Sequence, residues 1–113
     1  MQSHPASLRE FSLIPYLEED LFPLENLPFG CFRLNDRVSC CTRISDFVID
    51  LRYLQNEGHL FDLKIFNTED LNVFIESGKE SWTKVRRRLQ ELFMRGSGRT
   101  IDEREMKEAC HRI

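Results

Sequence analysis

At 113 residues the chain suits a single domain, and a core of that size buries about two thirds of the surface that the unfolded chain exposes. Hydrophobic residues make up 41% and charged residues 31%, a balance that excludes a disordered chain and fits a folded soluble domain. The net charge of −3 excludes a global attraction to nucleic acid or anionic lipid, and no apolar run nears the ~20 residues needed to span a bilayer, so neither partner is expected.

Residues 1–10 are polar with little to anchor them and read as a flexible lead, with the folded domain expected over 11–113. This lead has no apolar stretch of the signal-peptide kind, so a cytoplasmic location is expected. From 11 to 22, Phe11, Leu13, Ile14, Tyr16 and Leu17 are interrupted by Pro15, which predicts an irregular or extended segment. Glu18-Glu19-Asp20 lacks the glycine and spaced oxygen ligands of a calcium loop and reads as solvated surface. Leu27-Pro28-Phe29-Gly30 predicts an ordered turn feeding a strand. Leu27 is pushed toward extended geometry by the following proline, and Gly30 admits backbone angles that a Cβ resists.

Three runs then carry strand chemistry, 31–34, 38–44 and 47–49, rich in β-branched, aromatic and cysteine residues and parted by Asn35-Asp36 and Ser45-Asp46. The Asp50 carboxylate is placed to cap a short helix over 51–56 that Gly58 ends. Asn67 or Thr68 is a candidate cap for a second helix, with Glu69 and Asp70 in its first turn and Leu71, Phe74 and Ile75 on its apolar face. Gly78 separates it from a longer helix over 79–94, in which Trp82, Val85, Leu89, Leu92 and Phe93 recur every three or four residues and share one buried face. A flexible break at 95–99 follows. Thr100 and Glu103 have capping-box spacing for a last helix running toward 113.

Strands followed by helices make this an α+β chain, and its residues form no reactive constellation. Four cysteines without a secretory signal read as unbridged thiols; Cys40 and Cys41, adjacent on a strand, point to opposite faces and cannot together hold a metal. His4, His59 and His111 supply no paired spacing for zinc, and Cys110-His111, as neighbours on a helix, diverge too far to act as nucleophile and base. Lys84, Arg86, Arg87 and Arg88 form the basic cluster. Glu80 and Glu91 offset it at helical spacing and no aromatic is interleaved for base stacking, so it reads as a solvated helix face. Gly96-Ser97-Gly98 has neither the ending nor the preceding strand of a phosphate loop. Catalytic, cofactor-binding and metal-binding residues are therefore all expected to be absent.

The order of Asn26-Leu27-Pro28-Phe29-Gly30, then Ile44-Ser45-Asp46 with Ile49-Asp50-Leu51, then Phe66-Asn67, Leu71-Asn72 and Phe74, and finally Gly78 with Trp82, resembles the N-terminal domain of fumarylacetoacetase. That resemblance implies a small Src-homology-3-like β barrel with appended C-terminal helices. It implies a place in a homodimeric hydrolase that cleaves 4-fumarylacetoacetate to fumarate and acetoacetate, the last step of tyrosine and phenylalanine breakdown. The family's Ca²⁺ and Mg²⁺ and its catalytic side chains belong to a second, catalytic domain, the partner the resemblance implies. Pro28, Gly30, Asp50 and Trp82 carry over as scaffold, with Trp82 buried, while the family pattern has glycine where Ser45 stands. A free-standing interaction module that reuses the fold is the alternative.

Overall fold

A computed structural model describes residues 8–9, 12–17, 19–34, 36–60, 65–67 and 70–113, and these form an α+β domain. Strands β1 (Leu8–Arg9) and β2 (Tyr16–Leu17) pair antiparallel, so two residues assigned to the flexible lead are tied down. The rest of that lead lies outside the described residues, as do Phe11, Glu18, Asn35, Thr68 and Glu69. Just before Pro15 the chain is anchored by backbone bonds. Leu13 N–H donates to the Phe93 carbonyl at 2.7 Å, and Ser12 bridges to Met94.

Strands β3 (Phe29–Leu34), β4 (Arg37–Ile44) and β5 (Phe47–Asp50) form the expected meander, each a residue or two longer than the sequence suggested. The final residues correct the sequence reading. Helix α4 (Glu103–Ala109) stops at Ala109, and Cys110–Arg112 form β6, which pairs with β5 and gives the order β3-β4-β5-β6. An unfilled edge of β5 offers these residues backbone partners that a last helical turn would not. The cap of α4 also shifts, from Thr100 and Glu103 to a full capping box of Asp102 and Glu105.

This four-stranded sheet is open, because its outer strands β3 and β6 do not pair. It is nevertheless strongly curled: the rings of Phe32 on β3 and His111 on β6 lie 5.9 Å apart although two strands separate them in the sheet.

Helix α1 (Leu51–Asn56) starts where Asp50 accepts from the N–H groups of Arg52 and Tyr53 at 3.0 and 3.3 Å. It ends in a Schellman pattern. His59 N–H reaches back to the Leu54 carbonyl and Gly58 N–H to that of Gln55, with Gly58 at φ +82° where only glycine is unstrained. Helix α2 (Asn72–Glu76) begins later than expected and has no side-chain cap. Asn67 is not available for that role, because its side-chain oxygen accepts from Gln55 Nε2 at 2.8 Å; Asp70 instead accepts from Asn72 N–H at 2.9 Å. Helix α3 (Lys79–Phe93) carries the long apolar stripe, and Val85, Leu89, Leu92 and Phe93 are fully buried against Ile44, Ile49, Leu51, Leu54 and Phe66.

Two turns place a side chain in left-handed backbone. Leu27 has φ 42°, contrary to the extended geometry expected before proline, and its side chain is completely buried. Burial of a leucine, about 1.5–3 kcal/mol, is the term that outweighs that local preference. Gly30 lies inside β3 opposite Cys41 without positive φ, and a Cβ there would meet nothing within 4 Å, so the strained position of this turn is Leu27 and not Gly30. In the β4–β5 hairpin Ser45 has φ 52°, in the position where the resemblance implies glycine. Its hydroxyl donates to Asp20 Oδ2 at 2.7 Å and its N–H to the Phe22 carbonyl, bonds that hold the strained turn in place.

Candidate functional site

The scaffold residues named from the sequence are spread through the fold. Pro28 presents its carbonyl to the Thr42 hydroxyl at 2.7 Å, Gly30 lies in β3, and Asp50 caps α1 while also meeting Arg37 at 3.3 Å. Trp82 sits on α3, where its indole N–H donates to the Phe74 carbonyl at 2.7 Å, and it is half-buried rather than buried.

That partial exposure opens a groove. Phe29 from β3, Leu71, Phe74 and Ile75 from the α2 region, and Trp82 and Arg86 from α3 line a depression of about 340 Å³. Its wall is aromatic: Phe74 lies 4.7 Å from Phe29, 5.1 Å from Phe66 and 6.4 Å from Trp82 between ring centroids. Ile75, expected on the buried face of its helix, is 55% exposed, and Val73 beside it is exposed too. The Arg86 guanidinium lies over the Phe29 ring at 5.0 Å, and its Nε is buried without a hydrogen-bond partner among the described residues. Aromatic side chains, an arginine and an uncovered isoleucine are the composition of a protein-binding surface, and nothing in the groove is nucleophilic or basic in the catalytic sense.

Its neighbours in sequence place Arg86 in a basic cluster expected to be solvated, whereas the structure puts it on the groove. Helical spacing contained the missed signal, since Trp82 and Arg86 are four apart and share a face. Arg88 also leaves that cluster, donating from Nε to the His59 carbonyl at 2.8 Å. Lys84 and Arg87 stay on the exposed side of α3, where Glu80 and Glu91 line the same shallow surface.

Three carboxylates serve turns and caps: Asp20 accepts from Ser45 and from the Phe22 N–H, Asp50 caps α1, and Asp70 accepts from the Asn72 N–H. Among the described residues no three His, Cys, Asp or Glu side chains gather into a metal-binding group, so the donors present do not fit the Ca²⁺ and Mg²⁺ of the resemblance. Cys110 and His111 are consecutive on β6 and point to opposite faces of the sheet. Burial pushes the Cys110 thiol up to about 12, which leaves it unreactive at neutral pH.

Comparison with known proteins decides what kind of chain this is. Residues 25–112 match the family model described as Fumarylacetoacetase N-terminal. The chain belongs to this family. Among curated proteins it is similar to the fumarylacetoacetase of Dictyostelium discoideum, 38% identical over 103 residues that make up 86% of this chain and 24% of that protein. It is also 32% identical to the fumarylacetoacetases of Bos taurus over 106 residues and of Homo sapiens over 108, covering 86% and 88% of this chain and 25% of each relative. The chain thus spans about a quarter of the length of the relatives it matches. Every residue lining the aromatic groove lies within the matched range, 25–112. Among the described residues no helix is long and apolar enough to cross a membrane.

Proposed function

We propose that this chain acts as the non-catalytic N-terminal domain of a cytoplasmic, homodimeric fumarylacetoacetase, and that it works by packing on the catalytic domain. The whole enzyme hydrolyses 4-fumarylacetoacetate to fumarate and acetoacetate, closing tyrosine and phenylalanine breakdown. The match over 25–112 carries this reading, because it fills most of this chain and only a quarter of each relative. In this reading the folded unit takes in 11–113 together with the paired strand at Leu8–Arg9, and Pro28, Gly30, Asp50 and Trp82 are scaffold. The catalytic residues and the Ca²⁺ and Mg²⁺ reside in the remaining three quarters of the enzyme. The curl that brings Phe32 to His111 supports a Src-homology-3-like barrel with appended C-terminal helices as the fold type of this open sheet.

The aromatic groove is the docking face in this proposal. Covering Ile75, Val73 and the exposed part of Trp82 removes apolar surface from water, and a carbonyl or carboxylate of the partner satisfies Arg86 Nε. The test is to express this chain and the catalytic part of a fumarylacetoacetase separately, mix them, and follow complex formation by size-exclusion chromatography together with loss of substrate. A complex is expected, with no turnover by this chain alone, and Ile75→Asp weakens association at least tenfold without unfolding the domain. Turnover by the isolated chain overturns the non-catalytic reading. Failure to associate with a folded catalytic part overturns the docking reading and favours a free-standing module.

A further inference from the structure

None of the four cysteines is in a disulfide, yet two of them face each other. Cys31 on β3 and Cys40 on β4 are direct cross-strand partners, with side chains on the same face of the sheet. Partners in an antiparallel pair have Cα atoms about 4.5 or 5.5 Å apart, depending on the type of pair, and both values lie inside the roughly 4.4–6.8 Å that a disulfide spans. Their Cβ atoms, about 4.5–5.5 Å apart in such pairs, need only a small inward movement to reach bonding geometry. The strand that must move is β3, an outer strand that, among the described residues, is held on one side only.

We propose that Cys31 and Cys40 form a reversible thiol switch that closes to a disulfide when the chain meets hydrogen peroxide. The two sulfurs have unequal roles. Cys31 is exposed and meets the oxidant; Cys40 is fully buried, with its S–H donating to the Asp70 carbonyl at 3.1 Å. Burial, with the Cys31 sulfur beside it as the next cause, pushes Cys40 up to about 11, which suits a resolving thiol rather than the first one attacked.

In the first step the Cys31 thiolate attacks one peroxide oxygen. An S–O bond forms, the O–O bond breaks, and the departing hydroxide takes up a proton as water, leaving Cys31 as the sulfenic acid. In the second step the Cys40 sulfur attacks the Cys31 sulfur. The S–S bond forms, the S–O bond breaks, and the hydroxide leaves as a second water with the Cys40 proton. Two thiols have lost two electrons to one peroxide, and a dithiol reductant reverses the change. Closure exchanges the Cys40 bond to Asp70 for a covalent tie between β3 and β4, two residues along β3 from Phe29, which lines the aromatic groove.

Cys41 provides an internal control. It follows Cys40 in sequence but lies on the opposite face, opposite Gly30 and Asp50, where it has no thiol partner across either strand.

The test uses the full chain, treated with limiting hydrogen peroxide, blocked with N-ethylmaleimide and digested with trypsin without reduction. Cleavage after Arg33 and Arg37 separates the Cys31 peptide from the peptide 38–43 that contains Cys40 and Cys41. The expected product is a disulfide joining these two peptides, with the titratable thiols falling from four to two and returning on reduction. The Cys41→Ser variant keeps the cross-link, which then runs through Cys40, whereas Cys31→Ser, altered at an exposed position, loses it. The proposal is overturned if wild-type Cys31 ends as sulfinic acid or as a disulfide-linked dimer while Cys40 is alkylated. Loss of the cross-link in folded Cys41→Ser overturns it as well.

Discussion

Asp50 is where sheet and helix are joined, and replacing it separates a cap from an ion pair. The carboxylate is 2% exposed and accepts the N–H groups of Arg52 and Tyr53 in the first turn of α1, while Arg37, its ion-pair partner at 3.3 Å, is 49% exposed. Loss of a cap costs about 0.5–2 kcal/mol, whereas a pair with one partner so exposed contributes at most a few tenths after solvent screening. Asp50→Ala is therefore expected to cost about 1–2 kcal/mol, nearly all of it from the uncapped helix. Asp50→Asn keeps an equally good cap and costs about 0.5 kcal/mol or less. Arg37→Ala stays within about 0.5 kcal/mol, because Asp50 remains hydrogen-bonded to two backbone donors. Urea melts followed by far-ultraviolet circular dichroism, with unchanged m-values, give these differences directly. An Arg37→Ala loss equal to that of Asp50→Ala would refute the argument by making the ion pair, not the cap, the source of stability. An Asp50→Asn loss as large as that of Asp50→Ala would refute it too, because the charge would then matter more than the cap.

Two further expectations concern the interior. Phe66 is fully buried and Trp82 only half-buried, so Phe66→Ala should cost about 3–5 kcal/mol and Trp82→Ala no more than about 3, an order that denaturant melts of both variants check. Burial pushes Cys40 to about 11 and Cys41 and Cys110 to about 12 from the ordinary 9.0, so above pH 9 these thiols ionise in the unfolded chain first. Stability they support below pH 9 is thus lost as the pH climbs through 11 to 12; between pH 8 and 10 the urea midpoint should fall, and fall less steeply in Cys110→Ala.

Local chemistry carried the sequence reading where local chemistry decides. The three-strand meander, the Asp50 cap, the Gly58 terminator and the stripe on α3 all depend on residues a few positions apart. Tertiary demands decided the rest. Gln55 takes Asn67 and the Phe66 N–H for itself, at 2.8 Å each, so the expected cap of α2 is not available to that helix. Residues 110–112 read as a helical tail because nothing near them in sequence announces the edge of β5. Of the candidate groove, Trp82 and Phe74 were legible as helix-face residues. The exposure of Ile75 and the stacking of Arg86 on Phe29 were not, because they depend on how short α2 is and on how β3 lies against α3.

The late strand β6 also fixes an order of assembly. Strands β3, β4 and β5 are joined by tight turns and can zip together as soon as they leave the ribosome, but Val48 must wait for His111, over half the chain's length away. Until then β5 shows an open row of backbone donors and acceptors, the kind of edge along which unfinished chains stick to one another. Helices α1 to α4 are made in this interval, and α4 ends where β6 begins, so docking of α4 delivers the last strand to its place. A nascent chain halted before Cys110 would hold most of the core's residues and still present a sheet with an unsealed seam.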